Sequence, residues 1–259
     1  MKKIIIGNWK MNPKTLSDAV KLARKVSAEP HSLRNMDVVL VPPTIYLPAV
    51  AKFAGKAKKI KLGAQNVFYE KGPPAGGGAY TGEVSLAQIK QFGVGFVIVG
   101  HSERRAMGET NEIVQKKLKT VLEGGLKAVL CIGEKERNKE EAFPVIMRQE
   151  LHLALSKIKK TILRNLIVAY EPIWAIGTGH AETPEHAFEI TILIRRDLYK
   201  IAGKNIASKI PIIYGGSVTS QNAASFIKDG NMDGLLVGGA SLRAQEFIKI
   251  VKEAGEAAQ

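Results

Sequence analysis

Cysteine is nearly absent. Cys131 stands alone in 259 residues, which excludes an internal disulfide and any multi-cysteine zinc site and fits a reducing compartment. Long apolar runs are missing as well. None reaches the roughly eighteen residues of a membrane span, and only Ile4 to Ile6 separate Met1-Lys2-Lys3 from Gly7-Asn8-Trp9-Lys10, far short of the apolar centre of a secretory signal. The expectation is a cytoplasmic protein with no membrane partner. His31, His152, His180 and His186 show no metal-ligand spacing. Acidic residues are the short side of the charge balance, 24 against 38 Lys and Arg, for a net charge of +14. Such an excess suits nucleic acid, an anionic membrane or an anionic small substrate, and does not choose among them. The densest basic patch, Lys56, Lys58, Lys59 and Lys61, has no aromatic residues interleaved. It lacks the stacking platforms of a nucleic-acid binder and reads as a solvated helix end.

What is present is the composition of a soluble globular protein, 45% hydrophobic and 24% charged. At this length about three quarters of the unfolded surface can be buried. No linker or break in composition divides residues 1–259, which predicts one domain. Short β-rich runs recur at Ile4–Ile6, Val38–Val41, Ile60–Leu62, Phe96–Val99, Lys127–Ile132, Ile167–Tyr170, Ile210–Tyr214 and Gly234–Val237. Between them lie amphipathic stretches such as Leu16, Ala19, Val20, Ala23 and Val26, whose spacing gathers apolar side chains on one helical face. Repeated βα units of this kind predict an α/β fold, a closed (β/α)8 barrel. A doubly wound open sheet is the alternative, but it would carry a glycine fingerprint after its first strand, and Gly7-Asn8-Trp9-Lys10 is not one.

Barrels of this type place chemistry on the loops at the C-terminal ends of their strands, and the polar residues obey that rule. Asn8 and Lys10 follow the first run, His101, Ser102 and Glu103 the fourth, Glu171 the sixth, Gly215-Gly216-Ser217 the seventh, and Gly238-Gly239 the eighth. Taken singly, Asn8 could be a turn former, His101 a satisfied histidine and the glycines tight turns. Together they converge on one mouth. The stretch from Ala169 to Gly179 joins a buried strand to a carboxylate, then a stiff Pro172-Trp174 segment, then Gly177 and Gly179, which permit large backbone excursions. That order suits a catalytic base with a movable cover. Gly238-Gly239-Ala240-Ser241 leads into the helical pattern of Leu242, Phe247, Ile248 and Val251, so its free N–H groups and the helix dipole would face a phosphate.

These motifs resemble the triosephosphate isomerase family. The resemblance rests on Gly7 to Asn12, Ala64-Gln65-Asn66, Gly100 to Arg105, Cys131 to Glu134, Tyr170 to Gly179, Tyr214 to Ser217 and Val237 to Leu242, in the family's order and over nearly the whole chain. It implies a TIM barrel that interconverts dihydroxyacetone phosphate and D-glyceraldehyde 3-phosphate through an enediolate, in glycolysis and gluconeogenesis, with no metal and no organic cofactor. It implies Glu171 as the base, His101 as a neutral imidazole electrophile, and Asn8 and Lys10 as partners of the substrate oxygens and phosphate. The phosphate would be held by N–H groups of Gly177, Ser217, Gly238 and Gly239. Glu103 would orient Lys10, the Ser102-Glu103-Arg104 segment would offer free N–H groups to the His101 ring, and Tyr214 would fasten the closed cover. A carboxylate is a weak base in water, and burial beneath Ile176 would strengthen it.

A homodimer is also implied, with Tyr80-Thr81-Gly82 reaching into the partner. This chain departs from the family at His180-Ala181-Glu182, where many members have Lys-Thr-Ala, and in a longer loop from Val67 to Tyr80. The first departure predicts an altered rate of cover movement, the second an altered dimer interface. A Schiff-base aldolase would share the glycine loops but needs a lysine on a central strand. A basic nucleic-acid-binding protein on the same fold is the non-enzymatic alternative; no nucleic-acid partner is expected.

Overall fold

The computed structural model describes residues 2–29, 36–55, 59–70, 77–136, 144–175 and 182–258. The chain runs β1 (Lys3–Asn8), α1 (Leu16–Ala28), β2 (Met36–Val41), α2 (Leu47–Val50), β3 (Ile60–Ala64), α3 (Leu86–Lys90), β4 (Val94–Val99), α4 (Ser102–Ala106) and α5 (Asn111–Glu123). It continues through β5 (Lys127–Ile132), α6 (Val145–Leu155), β6 (Leu166–Tyr170), α7 (Pro184–Ala202), α8 (Lys204–Ala207), β7 (Ile212–Tyr214), α9 (Ala223–Lys228), β8 (Gly234–Val237) and α10 (Ala244–Glu256). The strands are parallel and neighbour one another in sequence order. β8 returns to β1 in a register from Ile4↔Gly234 to Gly7↔Val237, which closes the barrel.

Every expected β-rich run contains a strand. One start moves. Ile210 lies outside β7 because Pro211 has no N–H for the ladder, although its carbonyl still accepts from the Val168 N–H at 2.9 Å. The basic patch is also corrected: Lys61 belongs to β3, so it is not part of a solvated helix end, while Lys56 and Lys58 lie outside the described residues.

Side-chain alternation along the strands builds two apolar layers. In β6, Ile167 and Ala169 point into the barrel with Ile6, Val41 and Ile98, while Leu166, Val168 and Tyr170 point out toward the helices. The helices answer with their own stripes. α1 buries Ala19, Leu22, Ala23 and Val26, and its first turn is capped by Thr15, whose hydroxyl accepts from the Asp18 N–H at 3.1 Å. Each large aliphatic in these layers contributes about 2 kcal/mol. The strand ends are thereby held rigidly enough to carry unusual backbone at one mouth. No helix among the described residues is long and apolar enough to cross a membrane.

Candidate active site

Glu171 follows directly on β6, where its backbone is held from both sides. Its N–H donates to the Ile132 carbonyl at 2.8 Å, and the Gly215 N–H donates to the Tyr170 carbonyl at 2.8 Å. The neighbour at the end of β5 has to be glycine, because a Cβ on Gly133 would sit 1.7 Å from the Glu171 carbonyl oxygen. Glu171 is only 1% exposed. Its Oε2 accepts from the Ser102 N–H at 3.0 Å, whereas Oε1 lies 3.2 Å from Nε2 of His101 and takes no hydrogen bond. A buried carboxylate oxygen left without a donor is costly unless something in the site uses it.

His101 caps α4, and its ring orientation follows from that position. The Glu103 N–H donates to Nδ1 at 3.2 Å. Glu103 Oε2 is 3.8 Å from the same nitrogen, beyond hydrogen-bond reach, so the amide decides the tautomer. A ring whose Nδ1 accepts carries its proton on Nε2, the nitrogen that faces Glu171. The donor comes from the Ser102-Glu103-Arg104 segment, as expected, while the Ser102 amide of the same turn serves the Glu171 carboxylate.

Lys10 occupies left-handed backbone with φ 52°, a conformation that costs a non-glycine residue about 1 kcal/mol or more. Its neighbours hold it there. Asn8 Oδ1 accepts from the Lys10 N–H at 3.1 Å, and Gln65 Nε2 donates to the Lys10 carbonyl at 2.8 Å. The side chain then reaches Glu103, with Nζ 2.6 Å from Oε1. Asn8 thus spends its oxygen on the Lys10 backbone and keeps its Nδ2 group as a donor.

Asn8, Lys10, His101 and Glu171 line a cavity of about 250 Å³ together with Ser217 and the two glycine loops. A Cβ on Gly238 would lie 3.4 Å from Cε of Lys10, so the amine stem runs against the eighth-strand loop. That loop differs from expectation in one respect. A short 3-10 turn, Gly239–Leu242, and an extended Arg243 separate it from α10, so the free N–H groups belong to the short turn and not to the long helix. The Ser241 hydroxyl pins the turn by donating to the Gly238 carbonyl at 2.7 Å. Lys10 is the one lysine lining this cavity among the described residues, and it follows β1 instead of projecting from a strand interior. The barrel interior that a Schiff-base lysine would occupy holds apolar side chains such as Ile6, Ile98 and Ala169.

Gly177, Ile176, His180 and Ala181 lie outside the described residues. The first described residue beyond them is Glu182, whose N–H donates to the Tyr214 hydroxyl at 3.1 Å. Burial pushes that hydroxyl's pKa up. The Glu182 carboxylate pairs with Nδ1 of His186 at 2.6 Å.

A family model described as triosephosphate isomerase matches residues 3–254. The chain belongs to the triosephosphate isomerase family. Curated triosephosphate isomerases are similar along almost their full length. The protein of Caldanaerobacter subterraneus subsp. tengcongensis is 42% identical over 251 residues, 96% of this chain and 98% of that protein. The Dictyoglomus thermophilum protein is 41% identical across 97% of this chain and 99% of its own length. The protein of Coprinopsis cinerea is 39% identical, with 95% of each chain covered.

Around this triosephosphate isomerase-family mouth stand residues that the sequence reading did not assign. Glu134 Oε1 accepts from both the Tyr170 hydroxyl and Trp174 Nε1, each at 2.9 Å, which ties the segment after Glu171 to β5. Burial raises the Glu134 pKa against those two hydrogen bonds. Glu150, on α6, accepts from the Gly133 N–H at 3.1 Å and lies 3.4 Å from Nη1 of Arg105. Burial lifts its pKa to about 7, opposed by Arg105 and the Gly133 N–H. A signal for Glu150 was present: it interrupts the buried stripe of Met147, Leu151 and Ala154. Arg243 adds a second cation to the cavity wall. No group of three or more His, Cys, Asp or Glu residues among the described residues is placed to hold a metal ion.

Proposed function

We propose that the chain is a triose-phosphate isomerase whose mouth interconverts dihydroxyacetone phosphate and D-glyceraldehyde 3-phosphate. One observation carries the assignment of roles: Glu171 lines the cavity shared by His101, Lys10 and Asn8, and its buried Oε1, without a hydrogen bond, lies 3.2 Å from Nε2 of His101. Glu171 takes the proton from the carbon beside the substrate carbonyl. The electron pair of that C–H bond becomes the C=C of an enediolate, and negative charge develops on the carbonyl oxygen. His101 Nε2–H and Asn8 Nδ2 donate to the two substrate oxygens, and the Lys10 amine offsets the charge. Glu171 then returns a proton to the neighbouring carbon while the oxygens exchange theirs, which converts ketose to aldose.

The phosphate is assigned to the N–H groups of Ser217, Gly238 and Gly239, supported by their place on the wall of the cavity that Glu171 also lines. Gly177 is assigned to the same group on the family pattern alone, as part of a cover that excludes water from the enediolate. Glu103 holds Lys10, Ser102 holds Glu171 through its amide, and Tyr214 anchors the chain beyond the cover. We assign residues 1–259 to one catalytic domain, acting in the cytoplasm in glycolysis and gluconeogenesis.

A homodimer is supported by a second cavity of about 490 Å³ that shares Asn8, Lys10 and His101 and is rimmed by Met11, Ile45 and Met107, which are 91%, 78% and 72% exposed. Such apolar exposure beside a site fits an interface. A coupled isomerase assay tests the assignment. Glu171→Gln is expected to lower turnover by about 10² to 10⁴, the range for a positioned base, with little change in phosphate affinity; near-normal turnover would overturn it.

A further inference from the structure

Helix α7 presents to solvent a face that the proposed chemistry does not use. Phe188, Ile192 and Tyr199 stay 38%, 50% and 40% exposed. At 100° per residue they form one apolar stripe along the helix. Beside that stripe runs a charged one, also exposed: Glu185 and Glu189 in the N-terminal half, Arg196 and Lys200 in the C-terminal half. Within the chain, Lys200 also reaches Asp197 at 3.4 Å.

The order of those charges selects a geometry. If two copies of α7 lie parallel, each acidic half meets an acidic half. In an antiparallel pair related by a twofold axis, each flank meets its own reverse. Centred between Ile192 and Leu193, Glu189 faces the second copy's Arg196, Glu185 faces its Lys200, and the two Ile192 side chains close the middle. Charge of this kind sets register and excludes the parallel arrangement, while the apolar stripe supplies the contact. We propose that α7 is a self-docking surface whose partner is the α7 of a second copy of this chain, arranged antiparallel about Ile192. It lies on a different face from the mouth-side dimer surface at Met11 and Ile45, so both together give four copies.

Sedimentation equilibrium on the full chain, with Ile192→Glu as the variant, reads the assembly. The wild type is expected to hold twice as many copies as the variant, with isomerase turnover unchanged. Glu189→Arg is expected to weaken the assembly, and adding Arg196→Glu to restore it. Register is tested separately by oxidative cross-linking, since Cys131 is buried and leaves an introduced thiol as the sole exposed one. Ile192→Cys should link two chains at least about tenfold faster than Lys200→Cys, whose thiols the twofold keeps apart. Equal masses for wild type and Ile192→Glu, or equal cross-linking of the two cysteine variants, would overturn the proposal. So would a partner other than a second copy in the α7 contact.

Discussion

Replacing Glu150 by Gln is expected to stabilise the protein above neutral pH and to change little in mild acid. The carboxyl is buried at the end of β5, and its pKa rises from 4.5 to about 7 because burial outweighs Arg105 and the Gly133 N–H. In the unfolded chain the group ionises near 4.5. Between these values the folded state binds more protons, so this group's stabilising contribution is fully present below about 4.5 and is lost as pH rises through about 7. The gap corresponds to about 3 kcal/mol, of which about 2 kcal/mol falls between pH 5 and 8.5. Glutamine keeps the shape and an oxygen for the Gly133 N–H but cannot ionise. Thermal unfolding at one fixed protein concentration should therefore show the variant's advantage growing by about 4 to 8 °C from pH 5 to pH 8.5. A difference that stays constant over that range would refute the argument. A variant less stable than wild type at pH 8.5 would show that the Arg105 pair outweighs burial.

Three further substitutions probe the supports of the mouth. Gly133→Ala forces a Cβ against the Glu171 carbonyl; the expectation is about 2 kcal/mol of destabilisation and a turnover loss of about 10² for a displacement near 1 Å, read by denaturant unfolding and steady-state assay. Lys117 is buried on α5, bonded to Glu109 and, at 2.7 Å, to Asn66 Oδ1, and burial lowers its pKa despite Glu109. Lys117→Met leaves the buried Glu109 carboxylate with Arg104, whose Nε lies 3.5 Å from Oε2, as its remaining cation, and should cost about 3 kcal/mol in urea unfolding, most of it recovered when Glu109→Leu is added. Tyr214→Phe removes the acceptor of the Glu182 N–H and should lower stability by about 1 kcal/mol in the same measurement.

The barrel could be read from the sequence because parallel strands buried on both faces appear as short apolar runs, and Leu166 to Ala169 is the clearest of them. The mouth could be read because the polar residues stand where those runs end. Glu150, Lys117 and Asp197 could not be read in the same way. Each sits at a slot where the helical period calls for an apolar side chain: Lys117 between Val114 and Leu118, Asp197 between Ile194 and Leu198. The period shows that such a residue is buried, but only the folded chain shows its partner, as when Arg148 reaches Asp197 at 3.2 Å. The same limit applies to His101. Its place after β4 was evident, whereas the choice of the Glu103 amide for the ring and the Ser102 amide for Glu171 depends on the first turn of α4. The 3-10 turn before α10 was missed because Ala240 to Leu242 is compatible with either kind of helix.

Isotope exchange tests the central claim, proton transfer by Glu171 through an enediolate, most directly. Isomerisation of D-glyceraldehyde 3-phosphate in D2O, followed by NMR, should give dihydroxyacetone phosphate carrying solvent deuterium at the carbon that gains a hydrogen. The Glu171→Gln protein should neither turn substrate over at a comparable rate nor exchange it. Product free of deuterium at that carbon, or exchange undiminished in Glu171→Gln, would contradict the account.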